Sequence, residues 1–350
     1  MKKYIILAVS IVFLAAYYII HNLFDDFNND VAAIASDVKH PASNPVPMPP
    51  VGGDPATNKP VASTSVAVKK ASAYIYVSNL NSTTVSVCPI MTDGSIASCV
   101  QSGNGFNAPS GLALTHDKRA LYVTNQGSNE IDLCMIDKAT GQLNNCSPTG
   151  NGFNAPSAVA ISNNGQFAYV VNENSSNISI CQHDRANKSL ANCNTILTNL
   201  ASPSDINFAP ETNHVYIANT GNNSIIFCTI GPGRELIKCH PTGSDFSAPQ
   251  SVTISANDKY AYIANQSANS ISLCQVDSVS GEFSNCQFTG SGFNAPSDFT
   301  LNSAGNMAYV SNASSIMSCN VNLDGTLTNC LQFNGDFNHS TGIRVVEHVE

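Results

Sequence analysis

The chain has 350 residues, of which 11% are charged, with a formal net charge of -9, 12 cysteines and no tryptophan. So acidic a chain, so sparse in Lys and Arg, has no basic footprint for nucleic acid, and that class of partner is excluded. Helix-period apolar patterning is absent beyond the N-terminal region, which points to an all-β body.

The first predicted element is N-terminal. Lys2 and Lys3 precede an apolar run from Tyr4 to Ile20 broken only by Ser10, just long enough to cross a bilayer. Residues 1–24 are expected to form an uncleaved signal-anchor, a transmembrane helix. A cleaved signal peptide is the alternative, but the nearest A-x-A pattern, Ala33 to Ala35, lies well downstream behind Asp25, Asp26 and Asp30. With the lysines held on the cytoplasmic side, the remainder is expected on the periplasmic or extracellular side, membrane-anchored, or secreted if the N-terminus is cleaved. Residues 25–61 follow as a linker, with Pro41, Pro45, Pro47, Pro49, Pro50, Pro55 and Pro60 favouring an extended spacer or a disordered junction.

From residue 62 to residue 350 three markers repeat together. A strand running from tyrosine to asparagine recurs as Tyr76 to Asn79, Tyr122 to Asn125, Tyr169 to Asn172, Tyr216 to Asn219, Tyr262 to Asn265 and Tyr309 to Asn312, with successive tyrosines 46 or 47 residues apart. A loop centred on Pro109, Pro156, Pro203, Pro249 and Pro296 keeps the same spacing. Self-similarity at this period means stacked supersecondary units, each too thin to bury its apolar face alone. Within one unit, alternation and turn residues mark strands at Ala158 to Ser162, Phe167 to Asn172, Ile178 to His183 and Ser189 to Cys193. Four short strands per unit, six times over, predict a six-bladed β-propeller of four-stranded blades. On the first strand, Val159 and Ile161, and their counterparts Leu112 and Leu114, Ile206 and Phe208, Val252 and Ile254, and Phe299 and Leu301, should be buried between blades.

The third marker is a cysteine pair in every unit: Cys88/Cys99, Cys134/Cys146, Cys181/Cys193, Cys228/Cys239, Cys274/Cys286 and Cys319/Cys330. Reading Asp93-Gly94 and Asp324-Gly325 as two-residue hairpin turns sets the cysteines of those units directly opposite each other. In a unit one residue longer, Gly141 is expected in a left-handed bulge that restores the register. Opposed positions suit a disulfide, so six cross-strand bridges are expected, and with them an oxidising compartment. The spacing lacks the close knuckle of a zinc site.

The last candidate first strand, Gly342 to Val346, has no partners after it, so it is expected to complete the N-terminal blade and close the ring. Thr64 to Val68 is the competing candidate. LYVTN at Leu121 to Asn125, a polar turn, a strand and DKATGQL at Asp137 to Leu143 resemble the YVTN β-propeller repeat. The resemblance covers residues 74 to 346. It implies a propeller of the kind found in surface-layer and periplasmic repeat proteins and in lactonase-like relatives. The cysteine pairs depart from that repeat, and no lactonase catalytic motif maps onto the chain.

A site should appear where the repeat breaks, at the mouth of the channel. Two residues after the loop proline, Gly111, Ala158 and Ser251 contrast with Asp205 and Asp298, and the final first strand adds Arg344. Asp205, Asp298 and Arg344, with the neighbouring Asn207, form the candidate ligand-binding set, the competing reading being an ion pair that closes the ring. No catalytic residue and no metal set is assigned and no cofactor is expected. His116, His183, His214, His240 and His339 read as solvated turn residues, the recurring Phe106, Phe153, Phe246, Phe293 and Phe337 as packing wedges, and the asparagines as turn chemistry. The expected function is a noncatalytic binding scaffold for an envelope or surface protein or a small ligand, the alternative being a lactonase-like hydrolase.

Overall fold

The computed structural model describes residues 71–347. The expected N-terminal helix, the linker and the Thr64 to Val68 strand lie outside them. Among the described residues the chain forms six antiparallel sheets of four strands each.

Blade 1 consists of Ala71–Asn79, Val85–Met91 and Val100–Ser102, completed at the inside by the C-terminal strand Ser340–Glu347. The ring therefore closes through the C-terminus, with Tyr76 opposite Arg344 and Ile75 opposite Val345. Blades 2 to 6 follow in chain order, their inner strands being Pro109–Leu114, Pro156–Ile161, Pro203–Phe208, Pro249–Ile254 and Asp298–Leu301. Four of these begin at the loop proline itself, two residues earlier than the alternation suggested. Proline is tolerated at the first position of a strand, and in each case the register slips just after it.

The core is six wedges, each shared by two neighbouring blades. Leu112, Val159, Ile206, Val252 and Phe299 are buried, as the alternation required, with Phe208, Ile254 and the five recurring phenylalanines, whereas Leu114, Ile161 and Leu301 pack against the wedges but are only part-buried. The closing wedge between blades 6 and 1 has the same make-up as the others: Ile75, Val77, Tyr309, Ile316, Phe337 and Ile343 are among its ten buried residues. At roughly 1.5–3 kcal/mol for each large apolar side chain, an unclosed ring would lose most of one wedge.

Two polar residues repeat because each does the same work in its blade. Tyr76, Tyr122, Tyr169, Tyr216 and Tyr262 are buried, and each hydroxyl donates at 2.5–2.9 Å to a carbonyl in the outer hairpin of the next blade. A buried hydroxyl must find an acceptor, and this one ties blade to blade. The asparagines Asn79, Asn125, Asn172, Asn219, Asn265 and Asn312 each accept, at 2.7–3.3 Å, the backbone N–H of a residue in the loop that leads into the inner strand of the same blade. For Asn79 that loop residue is Asn338, so the same clamp fastens the C-terminal strand.

All six disulfides form within blades, as Cys88–Cys99, Cys134–Cys146, Cys181–Cys193, Cys228–Cys239, Cys274–Cys286 and Cys319–Cys330, with Cα separations of 4.0–4.2 Å. The pairing agrees with the spacing, but the local geometry corrects it: Cys239 and Cys330 are not the simple ladder partners that directly opposed positions imply. In blade 4 the ladder passes from Phe227 opposite His240 to Thr229 opposite Ile237, so Cys228 faces both Lys238 and Cys239 across a bulge. In blade 6 it passes from Ser318 opposite Leu331 to Asn320 opposite Thr328, so Cys319 faces both Asn329 and Cys330. The extra residue is left-handed in each, Lys238 at φ 53° and Asn329 at φ 48°. Asn145, Asn192 and Asn285 play the same part before Cys146, Cys193 and Cys286. Cys99 lies just ahead of its strand, Val100–Ser102.

In blades 1 and 6 the turns explain the need for an extra residue. Asp93-Gly94 and Asp324-Gly325 are not two-residue turns: Met91 pairs with Ser95, and Asn322 with Thr326, around three-residue loops whose last residue, Gly94 or Gly325, is left-handed. That shifts the register by one, and the extra residue before the outer cysteine shifts it back. Gly141 is left-handed as expected, at φ 71°, but it ends the hairpin loop between Asp137 and Gln142, and the register is restored at Asn145 and not there.

Candidate functional site at the channel mouth

One end of the propeller carries the proline loops and the turns between second and third strands. There the inner strands surround a cavity of about 200 Å³. Its wall is made by two successive positions of each inner strand. The first holds Ser110, Ser157, Ser204, Gln250, Ser297 and Thr341, whose hydroxyls mostly stitch one strand to the next: Ser204 Oγ donates to Gln250 O at 2.8 Å and Ser297 Oγ to Ser340 O at 2.7 Å. The second holds Gly111, Ala158, Asp205, Ser251, Asp298 and Gly342. At Gly111 and Gly342 a Cβ would meet the carbonyl of Ser157 or Ser110 at 2.4–2.5 Å, so only glycine lets these strands approach so closely.

The structure brings Asp205, Asp298 and Arg344 to this one cavity. Both aspartates are buried, 6% exposed, and each reaches into the inner strand of the following blade. Asp205 Oδ2 accepts the N–H of Val252 at 3.0 Å, and Asp298 Oδ2 accepts that of Ile343 at 2.8 Å. Asp298 also accepts the N–H of Phe299 at 2.8 Å, and Nη1 of Arg344 donates to it at 2.6 Å. Arg344 Nη1 further donates to Ile343 O at 2.6 Å, and 21% of the side chain is exposed. The ion pair thus joins blade 6 to the C-terminal strand. Asn207 is not among the residues lining the cavity; its Oδ1 faces the N–H of Ile254 at 3.4 Å, another blade-to-blade contact.

Burial, then the neighbouring Asp298, push the Asp205 carboxyl up to about 7, against the pull of Arg344. Burial also raises Asp298, with Arg344 and two backbone N–H groups opposing. On Arg344, desolvation is outweighed by the two aspartates, so it is raised and stays cationic. Of the two carboxyls, Asp298 holds the guanidinium, which leaves Asp205 the readier to take up a proton.

Two lining residues escaped the sequence reading. Glu173 follows the clamp asparagine of blade 3, where other blades place Leu80, Gln126, Thr220, Gln266 and Ala313. Burial raises its carboxyl, while Gln126 Nε2, donating at 2.7 Å, holds it down. His339 sits at φ 58° where the other blades carry Ala108, Ala155, Ser202, Ala248 and Ala295, all left-handed. Both break the repeat, and the same scan that singled out the aspartates, applied to these two positions, would have found them.

Seven-bladed lactonase β-propellers, as a family, match the chain over residues 51–288 and again over 234–330. The chain belongs to that family. Its own ring has six blades, one fewer than the family's description, and the overlap of the two matches is what internal repeats allow. No curated protein sequence matches significantly. Among solved structures, the periplasmic gluconolactonase of Pseudomonas aeruginosa is similar at 16% identity and a TM-score of 0.56, over 75% of this chain and 80% of that one. A candidate 6-phosphogluconolactonase from Bacteroides uniformis is similar at 19% identity and 0.56, over 73% and 81%. A chain of the nidogen/laminin complex is similar at 11% identity and 0.63, over 78% and 98%. At these identities the likeness is one of fold.

Proposed function

We propose that this protein is an exported, membrane-tethered propeller, built from YVTN-type repeats, that binds a small polar ligand at its channel mouth without converting it. The observation that carries this reading is convergence. Asp205, Asp298, Arg344, Glu173 and His339 all depart from the repeat, on four blades far apart in sequence, and all line one cavity. A repeat protein acquires a site by such departures on one face. Three carboxyl groups face one guanidinium, itself held by Asp298, so among the described residues an anionic group entering the cavity finds no free guanidinium or ammonium. The ligand is therefore neutral and rich in hydroxyls, or cationic, and a phosphorylated sugar is disfavoured. The six disulfides and the apolar N-terminal run support export.

Calorimetric titration of the full-length protein with gluconolactone, glucosamine and glucose 6-phosphate tests the reading. Saturable binding of the neutral or cationic probe, weakened at least tenfold by Glu173→Gln or Asp205→Asn, is the expected result. Tighter binding of the phosphate ester, or binding untouched by both substitutions, would remove the proposed site.

A second reading is favoured by family membership together with Asp205, a carboxyl near neutrality in a cavity. As general base it would take a proton from water while the hydroxide adds to a lactone carbonyl. The ring C–O bond then breaks and its oxygen is protonated. Lactone opening above the spontaneous rate, abolished in Asp205→Asn, would establish this reading; no rate above background would leave binding alone.

A further inference from the structure

At the opposite end of the molecule, where first strands turn into second strands and third into fourth, a small pocket of about 110 Å³ lies between blades 2 and 3. It is lined by Thr115, His116 and Asp117 of blade 2 and by Gly165, His183, Arg185 and Lys188 of blade 3. Two of these residues stand where the repeat asks for something else. The position of His183, two after the inner cysteine, is Ile90, Ile136, Ile230, Val276 and Val321 in the other blades. It is a core position at the end of the third strand, not the solvated turn that spacing suggested, and His183 is 9% exposed there. The position of Lys188 is Gly94, Gly141, Gly281 and Gly325 in four other blades, all left-handed, and Lys188 keeps that backbone at φ 64°. A β-carbon in this conformation is strained, and an imidazole in an aliphatic slot gives up packing. Both costs fall on one pocket.

The imidazole is also incompletely satisfied. Its Nδ1 lies 2.7 Å from Gly165 O and must donate to it, whereas Nε2 is buried without a partner. Nε2 is thus a lone pair awaiting a donor. The pocket that His183 lines also holds cations: Arg185, and Lys188, whose side chain is 14% exposed and whose Nζ sits 3.1 Å from Asp117 Oδ2. The other oxygen of Asp117 accepts from Thr115 Oγ1 and the N–H of Arg119, and the nearby Asp184 accepts the N–H groups of Ala186 and Asn187 in its own hairpin. Among the residues lining the pocket, one positive charge is in excess. The pocket is well below the roughly 300 Å³ at which drug-sized ligand sites begin.

We infer that this pocket binds a phosphate group that carries its own O–H. The phosphate hydroxyl donates to Nε2 of His183, and the charged oxygens accept from Lys188 and Arg185, with His116 at the rim. An oxyanion without a proton would set an oxygen against the Nε2 lone pair, so sulfate is rejected although its charge and shape are close. The site is separate from the channel mouth and stands or falls independently of it.

Calorimetric titration of the full-length protein at constant ionic strength and about pH 6, where about half of a phosphate monoester keeps its proton, decides the matter, with inorganic phosphate, glycerol phosphate and sulfate as probes. Saturable binding of inorganic phosphate or of the ester, with sulfate at least tenfold weaker, is expected; the first means a free ion is the ligand, the second a phosphate end group. His183→Ile and Lys188→Gly restore the residues of other blades and should lose at least tenfold in affinity without lowering the melting temperature. Should either fail to fold, Arg185→Gln, at an exposed position, carries the same expectation. No saturable binding, sulfate binding equal to phosphate, or affinity unchanged in these variants would overturn the site.

Discussion

The bodies of the blades and the ring of inner strands follow different rules. In the bodies one residue type does one job in blade after blade: asparagine clamps the loop, tyrosine reaches the next hairpin, and a cysteine pair spans the outer two strands. In the ring, equivalent positions read Gly111, Ala158, Asp205, Ser251, Asp298 and Gly342. A side chain packed between two blades must fit both neighbours, so it is held to the repeat. One that faces the shared channel answers to its own neighbours and not to the repeat: close strand approach demands glycine at Gly111 and Gly342, while Asp205 and Asp298 hold an N–H of the next strand. Substitutions in the bodies should therefore cost about the same in any blade, whereas those in the ring should depend on which blade is touched.

The largest contrast is expected at Arg344. Arg344→Met leaves Asp298, buried and joined to the C-terminal strand, without its guanidinium. Removing one partner of a buried pair costs about 3–5 kcal/mol, here toward the lower end because the arginine is part-exposed. Urea unfolding measures it, and Asp298→Asn in the same chain should restore much of the loss. Met at Asn207, the equivalent place in blade 4, should cost far less. Equal losses at the two positions would break the contrast.

Next in size is a pH dependence centred on the ring. The folded state raises Asp205 from 3.8 to about 7. Between these values the native chain binds more protons than the unfolded one, so its stability falls as pH rises from about 4 to about 7. At 1.36 kcal/mol per unit the fall is on the order of 3 kcal/mol, with Asp298 and Arg344 sharing in it. Asp205→Asn, which still accepts from Val252, should flatten the slope. A wild-type slope left intact by that variant would assign the titration elsewhere.

How much could be read in advance follows from the same division. Blade number, strand order, core positions and all six bridges were legible because tyrosine, asparagine and cysteine recur in phase. Closure by the C-terminus was legible from Phe337 and Asn338, which echo the loop before other inner strands. The turns at Asp93-Gly94 and Asp324-Gly325 and the bulge before Cys330 were misread for one reason. Two compensating one-residue shifts leave the cysteines close enough to bridge, and sequence spacing cannot tell no shift from two. Asp205, Asp298 and Arg344 stood out as charges in an uncharged register. Glu173, His339 and His183 did not, since their departures show only against positions that look like variable turn residues until the strands are placed. Asn207 was grouped with the charged set because it holds the position of Arg344; it shares the face of Asp205 but lies one pleat further along the strand, and its short side chain meets the N–H of Ile254 and does not reach the cavity.

The smallest effect, and the sharpest test of sameness, concerns the disulfides. A bridge closing a loop of about a dozen residues contributes up to about 3 kcal/mol by restricting the unfolded chain. In these blades the hairpin already draws the two ends together, so about 2 kcal/mol is expected on replacing one pair by serines. Cys88 and Cys99 lie in a blade assembled from both ends of the propeller, Cys274 and Cys286 in one built from continuous chain. Because each loop closes within a hairpin, the discontinuity of blade 1 is irrelevant to its entropy, and the two replacements should destabilise alike to within about 0.5 kcal/mol, the range in which independent sites behave additively. A markedly larger loss in blade 1 would mean that its bridge also holds the C-terminal strand in place, and the body of that blade would then belong, energetically, to the ring.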